Sequence, residues 1–124
     1  MTIIEAINQI DEMKPNSYTQ DDKVRWLSTL DWSIKKEIID THEGHEAIKY
    51  NGYDENSSID TILLADAPYD EIYVRWLEAQ IDYANGEYGK YNNSITAYNT
   101  AMQSYMNYYN RKHMPLQNNG LKYF

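Results

Sequence analysis

Apolar residues recur at helical spacing in three segments of the chain, and this pattern predicts an all-α fold, a helical bundle. The first segment opens with Thr2 and Glu5, which match a capping box that satisfies free N–H groups of the first turn. An isoleucine stripe follows, formed by Ile3, Ile7 and Ile10. Because a proline disfavours helical backbone at the residue before it, we expect this short helix to end before Pro15.

The second segment predicts a helix from about Gln20 to His42, which stops before Gly44. Ser17 or Thr19 can serve as its N-cap, because each is followed three residues later by a side chain that can complete a capping box. The apolar face of this helix recurs at helical spacing: Leu27, Leu30, Ile34 and Ile38. Together the first two segments predict two shorter helices.

The third segment carries the longest apolar stripe, whose alternate steps of three and four residues keep one phase for about five heptads. Its positions are Val74, Leu77, Ile81, Ala84, Tyr88, Tyr91, Ile95, Tyr98, Met102, Tyr105 and Tyr109. We expect Pro68 in the first turn of this long C-terminal helix and Pro115 beyond its end. The pattern leaves two arrangements open, one continuous rod or two helices hinged near Gly86 and Gly89.

Two stretches of the chain lack helical periodicity. Residues 44–67 contain Asn51 and Gly52, a turn signal that fits a small β-hairpin and an irregular loop equally well. Long non-helical segments in small proteins are often functional. The last residues predict an extended C-terminal tail. We therefore expect a single helical domain, residues 1–115, and a tail, residues 116–124.

Charge is distributed unevenly along the chain. The net charge is −8 at pH 7, and residues 51–72 carry six acids with no lysine or arginine. Residues 73–124 carry five bases and three acids. Because binding of a DNA duplex needs a basic surface that neutralises phosphates, the overall charge argues against that function. The acidic middle and the basic end indicate either two different contact surfaces or ordinary solvated surface.

The sequence carries no recognisable catalytic or cofactor-binding motif, so we expect a protein that is not an enzyme and needs no cofactor or metal. His42 and His45 enclose a glutamate, but a zinc-protease helix places its two histidines four residues apart, so we interpret this cluster as a solvated helix end. The chain has no cysteine, which fits a reducing compartment. We see no signal peptide and no apolar run near the ~20 residues of a membrane span, and we expect a soluble protein without membrane contacts.

Tyrosine replaces leucine at many positions of the long stripe: Tyr88, Tyr91, Tyr98, Tyr105 and Tyr109. Its large ring and polar tip suit a contact that is buried at one end and hydrated at the other, as in a subunit interface. The same residues can instead serve the chain's own core, and stacking on nucleic-acid bases is least favoured because basic residues are sparse. The tail also carries apolar residues that suit a groove of this chain or of a partner: Leu116, Leu121, Tyr123 and Phe124.

A resemblance to small helical proteins of tailed bacteriophages is carried by three segments: IEAINQIDEMKPNSYTQDDKVRWLSTLDWSIKKEI, APYDEIYVRWLEAQIDYANGEYGKYNNS and NYYNRKHMP. These proteins look like head–tail connector, or adaptor, subunits. The resemblance implies a homo-oligomeric ring, commonly of about twelve subunits, that docks beneath the portal protein and extends the DNA channel toward the tail-side neck proteins. It also implies that residues 116–124 insert into the portal, and that the protein is made in the bacterial cytoplasm and resides in the virion neck.

An acidic surface in such a channel would repel phosphate and let DNA pass without sequence-specific binding. We therefore expect four acids to line or rim the channel: Asp54, Glu55, Asp60 and Asp66. Two other functions stay open on the sequence alone. One is another neck or tail assembly factor of the same phage module, such as a chaperone, and the other is a free helical protein-binding module.

Overall fold

The computed structural model describes residues 1–116, most of which lie in four α-helices: α1 (Ile3–Met13), α2 (Gln20–Glu37), α3 (Glu71–Ala84) and α4 (Tyr88–Lys112). Short 3-10 turns follow α2 at Ile39–Thr41 and His45–Ala47. No strand forms in this part of the chain, which contains only isolated β-bridges. The prediction of an all-α fold is confirmed.

The starts of the first two helices follow their capping signals. Thr2 and Glu5 form both hydrogen bonds of the capping box before α1, and Thr19, rather than Ser17, caps α2 together with Asp22. Helix α2 ends at Glu37, earlier than expected. The reason is the 3-10 turn that follows it, which turns the chain inward and buries Ile39 and His42.

The long apolar stripe is divided between two helices. Helix α3 ends at Ala84, the chain reverses at Asn85–Glu87, and α4 returns antiparallel along α3. Gly86 adopts a φ of +74° in this turn, which glycine tolerates because it has no Cβ. Helices α3 and α4 both keep the seven-residue spacing, because each contributes one face to the contact between them. Of the two arrangements that the sequence left open, the hinged one is therefore correct.

The prediction that Pro68 lies in the first turn of α3 is wrong. A turn before the helix occupies this position, since the Tyr69 N–H donates to the Asp66 carbonyl at 2.9 Å. Asp70 is the N-cap residue, and α3 begins only at Glu71.

Helix α3 lies at the centre of the fold, with Ile72, Tyr73, Leu77 and Ile81 fully buried. It packs against α1, α2 and α4, whereas α4 approaches only α3 closely among the helices of the described part. One side of α4 therefore faces away from the other helices. This asymmetry leaves a groove between α2 and α4.

Two ion pairs, each with one buried member, tie the helices together at one end of the bundle. Lys23 is 3% exposed and donates to the Asp11 carboxylate at 2.8 Å and to the Tyr18 carbonyl at 2.9 Å. Lys14 pairs with Asp82, which is buried in α3. Because an uncompensated buried charge is costly, each pair holds the end of α1 against its neighbour.

Residues 44–67 form an irregular segment rather than a hairpin. Gly52 has a φ of +85°, but none of the described residues that carry a side chain has a positive φ, so Asn51 does not form the turn that a two-residue hairpin requires. The segment packs on the helices, as expected, through the buried Leu63 and Ala65. It runs beside the start of α1, where the Ile3 N–H donates to the carbonyl of residue 61 at 3.0 Å.

The two glycines near the turn are expected to respond oppositely to alanine. Gly86→Ala forces a side chain into the left-handed region and should lower the free energy of unfolding by about 1–2 kcal/mol. Gly89→Ala lies in the first turn of α4, where an added Cβ meets nothing within 4 Å, and should raise it by roughly 0.5 kcal/mol. Urea unfolding followed by circular dichroism measures both values. Equal effects of the two substitutions would contradict the turn described for Gly86.

Candidate interaction surfaces

An aromatic seam joins α3 and α4, and it accounts for the seven-residue spacing of the tyrosines. Three pairs of aromatic rings meet across this seam, and successive pairs are seven residues apart on both sides of the helical hairpin. Their ring centroids are 5.2 Å apart for Tyr83 and Tyr91, 5.1 Å for Trp76 and Tyr98, and 6.5 Å for Tyr69 and Tyr105. Aromatic pairs of this kind contribute roughly 0.5–1.5 kcal/mol each beyond the area they bury. The spacing therefore reports a contact within the chain.

The five tyrosines predicted to form a subunit interface occupy different environments. Tyr105 and Tyr109 are 2% and 5% exposed and belong to the chain's own core, so this fold does not offer them to another subunit. Tyr98 is half-buried, and burial raises its pKa to about 12. Tyr88 is 60% exposed, and Tyr91 is partly exposed. For Tyr88 and Tyr91 the interface stays a prediction.

The turn between α3 and α4 carries an exposed aromatic surface, the hairpin tip, formed by Tyr83, Tyr88 and Tyr91. Tyr83 is 57% exposed, and its ring centroid lies 5.7 Å from that of Tyr88. Clustered tyrosines on an exposed turn are typical of protein contacts, because they bury a large area at a low cost in side-chain entropy. The hairpin tip is therefore the best-placed part of the predicted interface.

The four acids predicted to face the channel are all exposed: Asp54, Glu55, Asp60 and Asp66. Asp54 also has a local structural role, because its carboxylate accepts from the Asn56 N–H at 2.8 Å. Asp54 and Glu55 line one shallow hollow together with Arg25. Asp66 lies elsewhere, near Tyr109: burial raises the pKa of this tyrosine, and the negative charge of Asp66 raises it further. The structure thus exposes all four acids but places only two of them in that hollow.

The end of the described chain is fastened to residues 41–43, which follow α2 at its 3-10 turn. The Glu43 N–H donates to the Met114 carbonyl at 2.8 Å, and the Leu116 N–H donates to the Thr41 carbonyl at 2.9 Å. These bonds flank an antiparallel bridge between residues 42 and 115. We call this feature the C-terminal corner, residues 41–43 with 114–116. Leu116 is 44% exposed there, while Leu121, Tyr123 and Phe124 lie outside the described residues.

His42 holds this corner against α4, which corrects our interpretation of the histidine cluster as a solvated helix end. The His42 ring is 6% exposed, its Nε2 lies 2.6 Å from the side-chain amide oxygen of Asn110, and its Nδ1 lies 2.5 Å from the Ile38 carbonyl. The ring also contacts Tyr109 edge-on at 4.9 Å. His45 instead lies at the surface beside Asp40. Within residues 1–116, no three potential ligands converge as a metal ion would require.

Asp31 forms a buried polar cluster that the sequence analysis missed. Its carboxylate is fully buried and accepts three hydrogen bonds: from the Tyr53 hydroxyl at 2.6 Å, the Tyr73 hydroxyl at 2.7 Å and the Leu64 N–H at 3.1 Å. The Tyr73 hydroxyl in turn accepts from the Ala65 N–H at 2.7 Å. Asp31 therefore fastens α2 to α3 and to the irregular segment.

The electrostatics of this cluster follow from its burial. Burial raises the pKa of the Asp31 carboxyl, and the three hydrogen bonds that it accepts lower it in part. Burial and then the neighbouring Asp31 charge raise the pKa of Tyr53 and of Tyr73 far above the ordinary value. Because neither tyrosine hydroxyl ionises readily, both remain donors to Asp31 near neutral pH. The cluster lies inside the bundle, so we interpret it as structural.

Comparison of the chain with family models, curated protein sequences and solved structures finds no significant match. Within the part of the chain that the structure describes, no helix is both long enough and apolar enough to cross a bilayer.

Proposed function

We propose that this chain is a structural, non-enzymatic virion protein, a head–tail adaptor subunit that forms a ring beneath the portal of a tailed bacteriophage. The sequence resemblance suggests this function. The observation that supports it best is the C-terminal corner, because the hydrogen bonds of Glu43 and Leu116 fix where the tail leaves the domain. A tail that begins at a fixed point on a folded subunit suits docking into a neighbouring protein, because the fixed start lowers the conformational entropy that the tail loses on binding.

In this proposal the other surfaces take part in ring assembly and in DNA passage. The hairpin tip presents tyrosines for contact with the next subunit around the ring. The exposed acids face the channel and keep DNA mobile, because like charges repel at short range. The partners are the portal protein, the tail-side neck proteins and further copies of this chain.

A tail deletion tests the docking role. We expect a chain that ends at Leu116 to keep its helical circular-dichroism spectrum, because the hydrogen bonds that close the corner remain. It should nevertheless fail to bind the portal protein encoded in the same genome, as measured by native mass spectrometry. A matched control is the full chain with Gln117→Ala and Asn118→Ala, which keeps the apolar residues of the tail. Undiminished portal binding by the truncated chain would contradict the docking role.

Charge reversal tests the role of the acids. Glu55→Lys, Asp60→Lys and Asp66→Lys together should slow DNA ejection while rings still form; Asp54 is left intact because it orders its own turn. A control with the same change in net charge reverses three exposed acids elsewhere on the chain: Glu12, Glu46 and Glu71. Ejection kinetics from assembled particles are the readout. If both triple variants eject DNA at the wild-type rate, the acids do not face the channel.

One observation favours the alternative of a free helical protein-binding module. Tyr105 and Tyr109 are sealed within the chain's own core, which removes part of the large tyrosine surface that a ring interface was expected to use. Analytical ultracentrifugation of the chain with and without the portal protein separates the two functions. Rings that form with the portal support the adaptor, and a monomer under both conditions supports the binding module.

A further inference from the structure

A continuous groove runs between α2 and α4 and ends at the C-terminal corner. Its larger part has a volume of about 570 Å³ and is lined mainly by apolar surface, including Ile38, Met106 and Leu116. A second part of about 310 Å³ shares Ile38 and Met106 and continues along α4 to Met102 and Tyr98. The two helices do not approach each other closely, so the groove separates them.

We propose that the tail of the same chain, residues 117–124, binds in this groove. The exit geometry supports this occupant. Leu116 itself lines the groove, and its N–H is held by the Thr41 carbonyl, so the chain passes Thr41 toward the end of α2. The antiparallel pairing thus brings the chain to Leu116 in the direction of Glu37 and Ile38, which line the groove.

The length of the tail fits the length of the groove. Tyr98 and Asn110 are twelve residues apart on α4, which corresponds to roughly 18 Å of helix. The five residues from 116 to 121 can span at most about 17 Å when extended, and the last three residues add about 10 Å. Leu121, Tyr123 and Phe124 can therefore reach the methionines of the groove without any change in the helices.

The chemistry of the groove also matches the tail. Met102 and Met106 have flexible, polarisable side chains that adapt to aromatic rings, and sulfur–aromatic contacts are favourable. Glu37 and Asp40 lie among the lining residues, where they can attract the charge of Lys122. A segment that is already tethered at Leu116 has a high effective concentration at this site, which favours it over a second copy of the chain. The inference concerns the isolated chain and does not rest on the proposed function, although docking into a portal would require the tail to leave the groove.

Methyl NMR of methionine-labelled protein tests this proposal. In the full chain, the Met102 and Met106 methyl resonances should be shifted by the rings of Tyr123 and Phe124 relative to a chain that ends at Leu116. The Met13 methyl group, which is 53% exposed at the end of α1, should not shift. Tyr123→Ala with Phe124→Ala should remove the shift, whereas Gln117→Ala with Asn118→Ala should retain it.

The outcome is decisive in either direction. Shifts that do not change with protein concentration, together with nuclear Overhauser contacts from Phe124 to Met106, support binding within the same chain. Identical methionine spectra of the full and truncated chains would overturn the proposal. Shifts that grow with concentration would also overturn it, because they would show that the tail of a second copy fills the groove.

Discussion

Replacing Asp31 with alanine should lower the free energy of unfolding by about 3 kcal/mol, because it removes the acceptor of three hydrogen bonds and leaves a small cavity. The hydroxyls of Tyr53 and Tyr73 would then lose their acceptor in a largely buried place, and each unsatisfied buried donor costs roughly 1–3 kcal/mol. For a chain of this length the midpoint of thermal unfolding should fall by roughly 10–15 °C. Calorimetry of the two proteins gives both quantities.

Two further variants show whether this effect comes from the buried cluster. Asp31→Asn should cost less than Asp31→Ala, because the amide keeps one acceptor oxygen and nearly the same volume. Glu12→Ala removes an exposed carboxylate from α1 and should change the free energy of unfolding by less than about 0.5 kcal/mol. If Asp31→Ala and Glu12→Ala proved equally mild, Asp31 would not be the tie between α2, α3 and the irregular segment.

The protein should unfold cooperatively in alkali, in a step coupled to tyrosine ionisation. Six of the 13 tyrosines have a raised pKa in the folded state, chiefly because of burial: Tyr50, Tyr53, Tyr73, Tyr98, Tyr105 and Tyr109. The value is about 12 for Tyr50 and for Tyr98, against 10.0 for an ordinary tyrosine. Above pH 10 the folded state therefore holds more protons than the unfolded state. The free energy of unfolding is unaffected by these groups below pH 10 and falls as the pH rises toward 12.

The size of this effect follows from proton linkage. Each tyrosine that is protonated only in the folded state lowers the free energy of unfolding by about 1.4 kcal/mol per pH unit. The combined loss of unfolding free energy from several such tyrosines exceeds an ordinary stability of about 5–15 kcal/mol within one to two pH units above 10. Circular dichroism at 222 nm should therefore lose its helical signal in the same narrow range in which the absorbance at 295 nm reports the six ionisations.

A pair of conservative variants tests the cause of the alkaline transition. Tyr98→Phe keeps the ring beside Trp76 but removes an ionisable hydroxyl, so the transition should become less steep and its midpoint should move to higher pH. Tyr88→Phe is the matched control, because the ring of Tyr88 is 60% exposed in the folded protein. Tyrosine ionisation that is complete while the helical signal persists would show that burial of these rings does not stabilise the fold.

The helices could be predicted well from the sequence because their signals are local. The capping pairs at Thr2 and Thr19 mark two helix starts, and apolar spacing identifies every helix face. The same spacing could not decide between a rod and a hairpin, because a stripe that packs on another chain and one that folds back on itself have the same period. The reversal depends on three residues, Asn85–Glu87, which contribute little to a pattern that spans some forty positions.

Two site residues were missed because their environment is created by tertiary packing. Asp31 lies four residues after Leu27 and three before Ile34, so a carboxylate on the apolar face of α2 was a visible signal of a buried polar cluster. Its partners, Tyr53 and Tyr73, could not be identified, since they are far apart in sequence and come together only in the fold. His42 was interpreted as solvated because the turn that buries it is not a local feature of the helical pattern.

Of the surfaces proposed for assembly, the acids could be predicted from the sequence and the tyrosines could not. The exposure of the four acids was predictable, because burying an unpaired carboxylate in a core is costly. The interface tyrosines could not be sorted from the sequence, because Tyr88 and Tyr109 occupy equivalent positions in the stripe, three heptads apart. Only the reversal of the chain decides that one lies at the exposed tip and the other in the core.

Quantitative mass spectrometry of purified phage particles from the source lysate tests the central claim most directly. The account predicts that this protein is present in mature particles at about one copy per portal subunit, as a closed ring docked on the portal requires. Its presence in the lysate together with its absence from the particles would contradict the adaptor function, and would leave an assembly factor or a free binding module as the function of this fold.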